Sequence, residues 1–87
     1  MEGRLVTREE VAQDDEEMLF MDGADAALIG RVERCGQPPL ACYDYEKLVR
    51  VFTKQLRTRD AAMEWIAFNC NAWMGPHTPV ILYRPNA

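Results

Sequence analysis

The chain has no serine, one histidine and three cysteines. Without serine there is no serine-nucleophile triad, and no Lys-Ser or Lys-Thr pair is present to close a phosphate loop. His77 lies in a proline-flanked loop, and nothing in the spacing pairs it with a cysteine nucleophile. Six residues separate Cys35 from Cys42, and six separate Cys70 from His77. Zinc knuckles use gaps of about two to four, so neither a metal nor a cofactor is expected. The odd cysteine count and the polar, acidic start, which has no apolar signal region, read as reduced thiols in a cytoplasmic setting. No apolar run reaches the roughly 18–20 residues of a membrane span, so no membrane partner is expected. Internal repeats and low-complexity tracts are absent as well.

What is present suffices for one small folded domain. Of 87 residues, 48% are apolar, enough for a core. The charge is divided along the chain. Residues 1–25 hold nine acids against Arg4 and Arg8, a balance of −7, while the remainder holds five acids against eight bases, a balance of +3. Residues 1–15 therefore read as an acidic, flexible N-terminal arm with a short helix over 8–13, and residues 16–87 as a single domain. Within the arm, Asp14-Asp15-Glu16-Glu17 lacks the alternation and glycine of a calcium loop.

Periodicity predicts strands at 17–21, 28–34, 40–43 and 80–83, the first closed by Asp22-Gly23. Pro38 and Pro39 mark a loop. Asp44 is a natural N-cap for a helix over 45–57, whose apolar positions Tyr45, Leu48, Val49, Phe52 and Leu56 follow helical spacing. On its other face Lys47, Arg50, Lys54 and Arg57 form a basic ridge. The ridge could be a solvated face, a dock for an acidic partner or for the chain's own arm, or, least in keeping with an acidic protein, a contact to nucleic acid. The expected fold is α+β: a small, mostly antiparallel sheet of three or four strands packed by two consecutive helices, in the order β-β-β-α-α-β.

The second helix, opening at Thr58 and closed by Gly75, poses a problem. Asp60, Glu64, Ala67 and Asn71 form a thin polar stripe, while Met63, Trp65, Ile66, Phe68, Cys70, Trp73 and Met74 cover the rest. Such a helix should be wrapped nearly all round, by its own domain or by a partner. Trp65 and Phe68, flanking the stripe, are the predicted contact pair. Asn69 falls on the apolar side, where an unsatisfied amide costs on the order of 1–3 kcal/mol per unmade bond. It should tie down a nearby loop, line a ligand site or sit in a subunit interface. The ligand alternative groups Asn69 with Tyr43, His77 and Thr78 in a polar pocket.

Several short motifs in order carry a resemblance: Asp22-Gly23, Asp25-Ala26, Leu28-Ile29-Gly30, Arg34-Cys35-Gly36-Gln37-Pro38-Pro39, Tyr43-Asp44, Phe68-Asn69, Ala72-Trp73, Gly75 and Thr78-Pro79. Over residues 20–82 the chain resembles a family of small accessory proteins encoded by tailed bacteriophages and prophages. It departs at Asn71, where relatives often carry a small residue, and at Ala24, where many carry an aromatic. The resemblance brings no catalytic residues. It implies a non-enzymatic protein, acting in the cytoplasm of an infected bacterium, that binds and modulates or inhibits a host protein such as a defence component. A homodimer is expected, with contacts at Trp65 and Phe68 and along Lys47, Arg50 and Lys54. The alternative is a protein that sequesters a small molecule or nucleotide.

Overall fold

The computed structural model describes residues 6–70 and 73–85. Its elements are α1 (Arg8–Ala12), β1 (Leu28–Val32), β2 (Leu40–Asp44), α2 (Tyr45–Leu56), α3 (Arg59–Asn69) and β3 (Val80–Leu82), with a single 3-10 turn at Asp25–Ala27 before β1. The fold is α+β, as the residue pattern predicts, with one three-stranded sheet in the order β1-β2-β3. None of the described helices is long and apolar enough to cross a membrane.

Where an arm is predicted, the chain from Val6 onward packs on the domain. The Thr7 hydroxyl accepts from the Glu10 amide at 3.1 Å, and the Glu10 carboxylate accepts from the Thr7 amide at 3.0 Å, a reciprocal cap that starts α1. Val11 then enters the core. Arg8 fastens the helix from outside: Nε donates to Asp25 Oδ1 at 2.8 Å, Nη2 to the Met21 carbonyl at 3.2 Å, and the guanidinium lies 5.1 Å from the Phe20 ring centroid.

The strand predicted at 17–21 does not form. Met18 is buried, yet the segment joins no ladder. The Met21 amide instead donates to the Tyr43 hydroxyl at 2.9 Å, so a side chain does the work of a neighbouring strand. Burial pushes the Tyr43 phenol up, and the bond from Met21 opposes that shift. Ala24 is fully buried.

β1 and β2 pair antiparallel, with Val32 opposite Leu40 and Leu28 opposite Tyr43. The loop between them turns at Gly36, whose φ of +75° favours glycine. β3 pairs with β2 in parallel, Cys42 opposite Val80 and Tyr43 opposite Ile81, so the sheet is mixed rather than mostly antiparallel. The α2–α3 pair and the loop after it supply the long crossover that a parallel neighbour requires. The central strand β2 is buried throughout. Ala41 and Tyr43 share one cluster with Val11, Leu48, Val49, Phe52, Ala62 and Ile66, which puts all three described helices on that face.

Asp44 ends β2 and caps α2 with no residue between. It is the only charged side chain among the described residues that are buried. Oδ2 accepts from the Lys47 amide at 3.0 Å and Oδ1 from Arg84 Nε at 2.7 Å. α2 closes at Arg57, in the left-handed region at φ +77°, and Thr58 immediately caps α3 through the Ala61 amide at 3.1 Å. Arg59 reaches back to Glu46 at 3.1 Å, clasping the two helices.

The predicted all-round wrapping of α3 is not what forms. Among its residues only Ala62 and Ile66 are buried. The helix leans on α2 and makes little contact with the sheet, so it needs only a narrow apolar stripe. It also stops at Asn69, well before Gly75, which belongs instead to the turn bonded from Thr78. Asn69 is consequently exposed, and its Nδ2 donates to the Trp65 carbonyl one turn back at 3.0 Å. Asn71 lies outside the described residues.

Two stability tests follow from these contacts. Asp44→Ala should cost roughly 2 kcal/mol in urea unfolding, about twice the cost of Thr58→Ala, because it removes a cap and also the partner of Arg84. Ile66→Ala should cost about 2–4 kcal/mol, while Asn69→Ala and Phe68→Ser stay within about 0.5 kcal/mol of wild type. Comparable losses at all three positions would mean that α3 is enclosed.

Candidate functional site

The first candidate surface grows from the way α3 is seated. With Ala62 and Ile66 turned inward, Trp65 and Phe68 face outward one turn apart. Phe68 is 78% exposed, Trp73 76%, Met74 57% and Trp65 43%, a set of large apolar side chains that would make a patch of the size that is often functional on a small protein. Trp65 is held partly in place by Phe52, with ring centroids 6.1 Å apart. Phe68 projects beyond it.

Beside this strip is a cleft of about 270 Å³. Phe20, Phe52 and Cys70 contribute apolar wall, Trp65 and Met74 the rim, and Asn69 a polar edge. The sequence reading placed Trp65 and Phe68 at a contact surface. It missed the parts of Phe20 and Phe52, which reach the cleft through tertiary packing that no local pattern encodes. It also placed Trp73 and Met74 within α3, whereas they follow its end.

The structure divides the four residues of the predicted polar pocket. Asn69 and Thr78 both line the cleft. Tyr43 does not: it is fully buried, and its hydroxyl is engaged by Met21. His77 does not line the cleft either. Its Nε2 is 3.8 Å from Glu17 Oε1, and its Nδ1 is buried without a hydrogen-bond partner. The two cleft residues already have local bonds. Thr78 Oγ1 accepts from the Met74 amide at 2.7 Å and donates to the Gly75 carbonyl at 2.6 Å, while Asn69 is bonded to Trp65. The cleft is therefore chiefly apolar in what it offers a visitor.

The second surface is the α2 ridge. Because Leu48, Val49 and Phe52 turn inward, Arg50 and Lys54 are exposed and Lys47 is half-buried. The three span about 10 Å along the helix. They flank a groove of about 560 Å³ with Gly23, Ala26 and Val51 in its lining. Arg8, Arg31, Arg59 and Arg84 each pair with an acid, whereas Arg34, in the loop after β1, and Arg57, at the end of the ridge, have no ion pair among the described residues. No acid among the described residues pairs with Lys47, Arg50 or Lys54, in a chain where acids outnumber bases.

Two of the three thiols, Cys42 and Cys70, are in surroundings that disfavour the thiolate. Burial pushes the Cys70 thiol up, and burial followed by Asp44 does the same to Cys42, against a smaller opposing effect of Arg84. A thiol held protonated attacks poorly. Cys35 is exposed, in the loop between β1 and β2. No group of three or more His, Cys, Asp or Glu side chains that could hold a metal ion comes together among the described residues.

Comparison of the chain with protein-family models, with curated proteins and with solved structures finds no match.

Proposed function

We propose that this chain is a non-enzymatic accessory protein of a tailed phage or prophage that binds a host protein, such as a defence component, and modulates or inhibits it. The observation that carries the reading is the unpaired ridge of Lys47, Arg50 and Lys54. Exposed cations cost little when solvated, so their presence alone decides nothing. Their arrangement is more informative. Acids are in excess over the whole chain, and Glu46, the one acid of α2, is taken by Arg59, so the cations on this face have no acidic counterpart among the described residues. A partner with an acidic surface would supply it, gaining steering and register from the charge match. Nucleic acid fits less well. Asp25 stands close by in the turn that contributes Ala26 to the groove, and the ridge carries no exposed aromatic on which a base could stack.

A small-molecule reading rests on the cleft that Asn69 and Thr78 line. At about 270 Å³ it lies just below the usual range for drug-sized ligands, and the Thr78 hydroxyl and one Asn69 N–H in its lining are already bonded.

Affinity capture from host lysate, followed by reconstitution with the identified protein, tests the first reading. Lys47→Glu combined with Arg50→Glu and Lys54→Glu should weaken the reconstituted complex at least about tenfold, and wild-type binding should weaken with added salt. Unchanged affinity and unchanged salt dependence would remove the ridge from the interface. Native mass spectrometry of freshly purified protein should show the bare chain, whereas a retained small molecule would favour sequestration.

A further inference from the structure

We infer that the aromatic strip at the end of α3 is a self-complementary contact through which two copies of this chain associate, each inserting Phe68 into the other's cleft. The inference goes beyond the proposed function, since it concerns a different surface and stands or falls separately from the ridge.

Area gives the first reason. Phe68, Trp73, Met74 and Trp65, two on α3 and two just beyond it, are all exposed. At about 150–250 Å² for each large aromatic side chain, they present on the order of 500 Å² per copy. A standard stable interface uses about 800 Å² per partner. The strip thus supplies most of the apolar centre of a dimer contact, leaving a polar rim to complete it.

Shape gives the second reason. A two-fold contact demands that one patch be its own complement. Here a projecting aromatic ring and an apolar cleft adjoin on the same surface. Benzene occupies an engineered apolar cavity of about 150 Å³, so a cleft of about 270 Å³ has room for a phenyl ring. One rotation then makes two identical insertions.

Polar satisfaction and charge give the third. Covering the cleft leaves the Thr78 hydroxyl satisfied, since it already accepts from the Met74 amide and donates to the Gly75 carbonyl; Asn69 has one Nδ2 bond, to the Trp65 carbonyl, and as an exposed edge residue it must keep its second N–H and its Oδ1 at the wet rim of the contact. No lysine or arginine among the described residues lines the cleft, although Arg8 Nη2 stands 3.9 Å from the Asp22 carboxylate. Asp22, in its wall, is exposed, and Glu64 lies one turn before Phe68. Two strips brought together would therefore repel weakly through their acidic edges, and salt would relieve that repulsion. The basic ridge could not serve this purpose, because a two-fold contact there would set cation against cation.

The test is sedimentation equilibrium of the full chain from about 1 to 500 μM, at low and high sodium chloride. A dimer that tightens with salt is expected, opposite in sign to binding at the ridge. Phe68→Ser should raise the dimer dissociation constant at least tenfold with an unchanged circular dichroism spectrum, and Trp65→Ala should weaken the dimer in the same direction. Tryptophan emission of the wild type should shift to the blue as concentration rises, and that of Phe68→Ser should not. A chain monomeric at 500 μM overturns the inference. So does a dimer indifferent to Phe68→Ser, or a strip that only a different purified protein covers.

Discussion

A single buried carboxylate holds together the parts of this fold that sequence distance keeps apart. Asp44 is the last residue of the central strand and the cap of the helix that follows it. It also accepts the guanidinium of Arg84, two residues beyond the last strand. A buried anion without partners would cost several kcal/mol, so its two bonds are conditions for its presence rather than additions to it. Satisfying them forces strand, helix and C-terminal strand to meet at one point. The direction in which α2 leaves the sheet is set there, and so is the side of the molecule on which its ridge emerges.

The same geometry accounts for α3. Only two residues, Arg57 and Thr58, join it to α2, and the Arg59–Glu46 pair closes the corner. A helix so tethered packs on its neighbour, and the core it can reach is filled by Ala62 and Ile66. Its remaining apolar side chains have nowhere inward to go. The apolar excess that looks, in one dimension, like a demand for burial becomes in three dimensions an exposed strip. Asn69 is relieved by the same fact: as the last residue of the helix and in solvent, it bonds to a carbonyl of its own helix.

What the residue pattern shows plainly is what local physics fixes. α2 was legible from its cap and its spacing, the β1–β2 hairpin from alternation either side of a proline loop, and the cap of α3 from Thr58. The strand expected at 17–21 failed because an apolar run can fill a core without entering a ladder, and because Tyr43 met the backbone donor of Met21 from 22 residues away. The direction of β3 was hidden for a related reason, since alternation identifies a strand but not the sense of its neighbour. At the surfaces, Trp65, Phe68 and the ridge could be named from spacing. The cleft could not, because Phe20, Phe52 and Met74 converge from three separate segments. The predicted polar pocket dissolved when packing claimed Tyr43 for the core.

The two surfaces differ in the kind of partner each can accept, and that difference follows from symmetry and charge. An apolar knob beside an apolar hole can meet its own copy, because dispersion and water release do not depend on sign. A row of like charges cannot; it has to be answered by something of opposite sign. Salt would act on two such contacts in opposite directions, weakening a charged one and easing the acidic edges of an apolar one. A chain of this size has too little core to bury both, and it has kept them on separate helices. An assembly in which α3 meets α3 leaves the outer face of α2 open, so each pair of chains would present two basic ridges. If the acidic partner is itself multivalent, the second ridge engages at an effective concentration set by the geometry of the pair, and weak individual ion pairs suffice for firm binding.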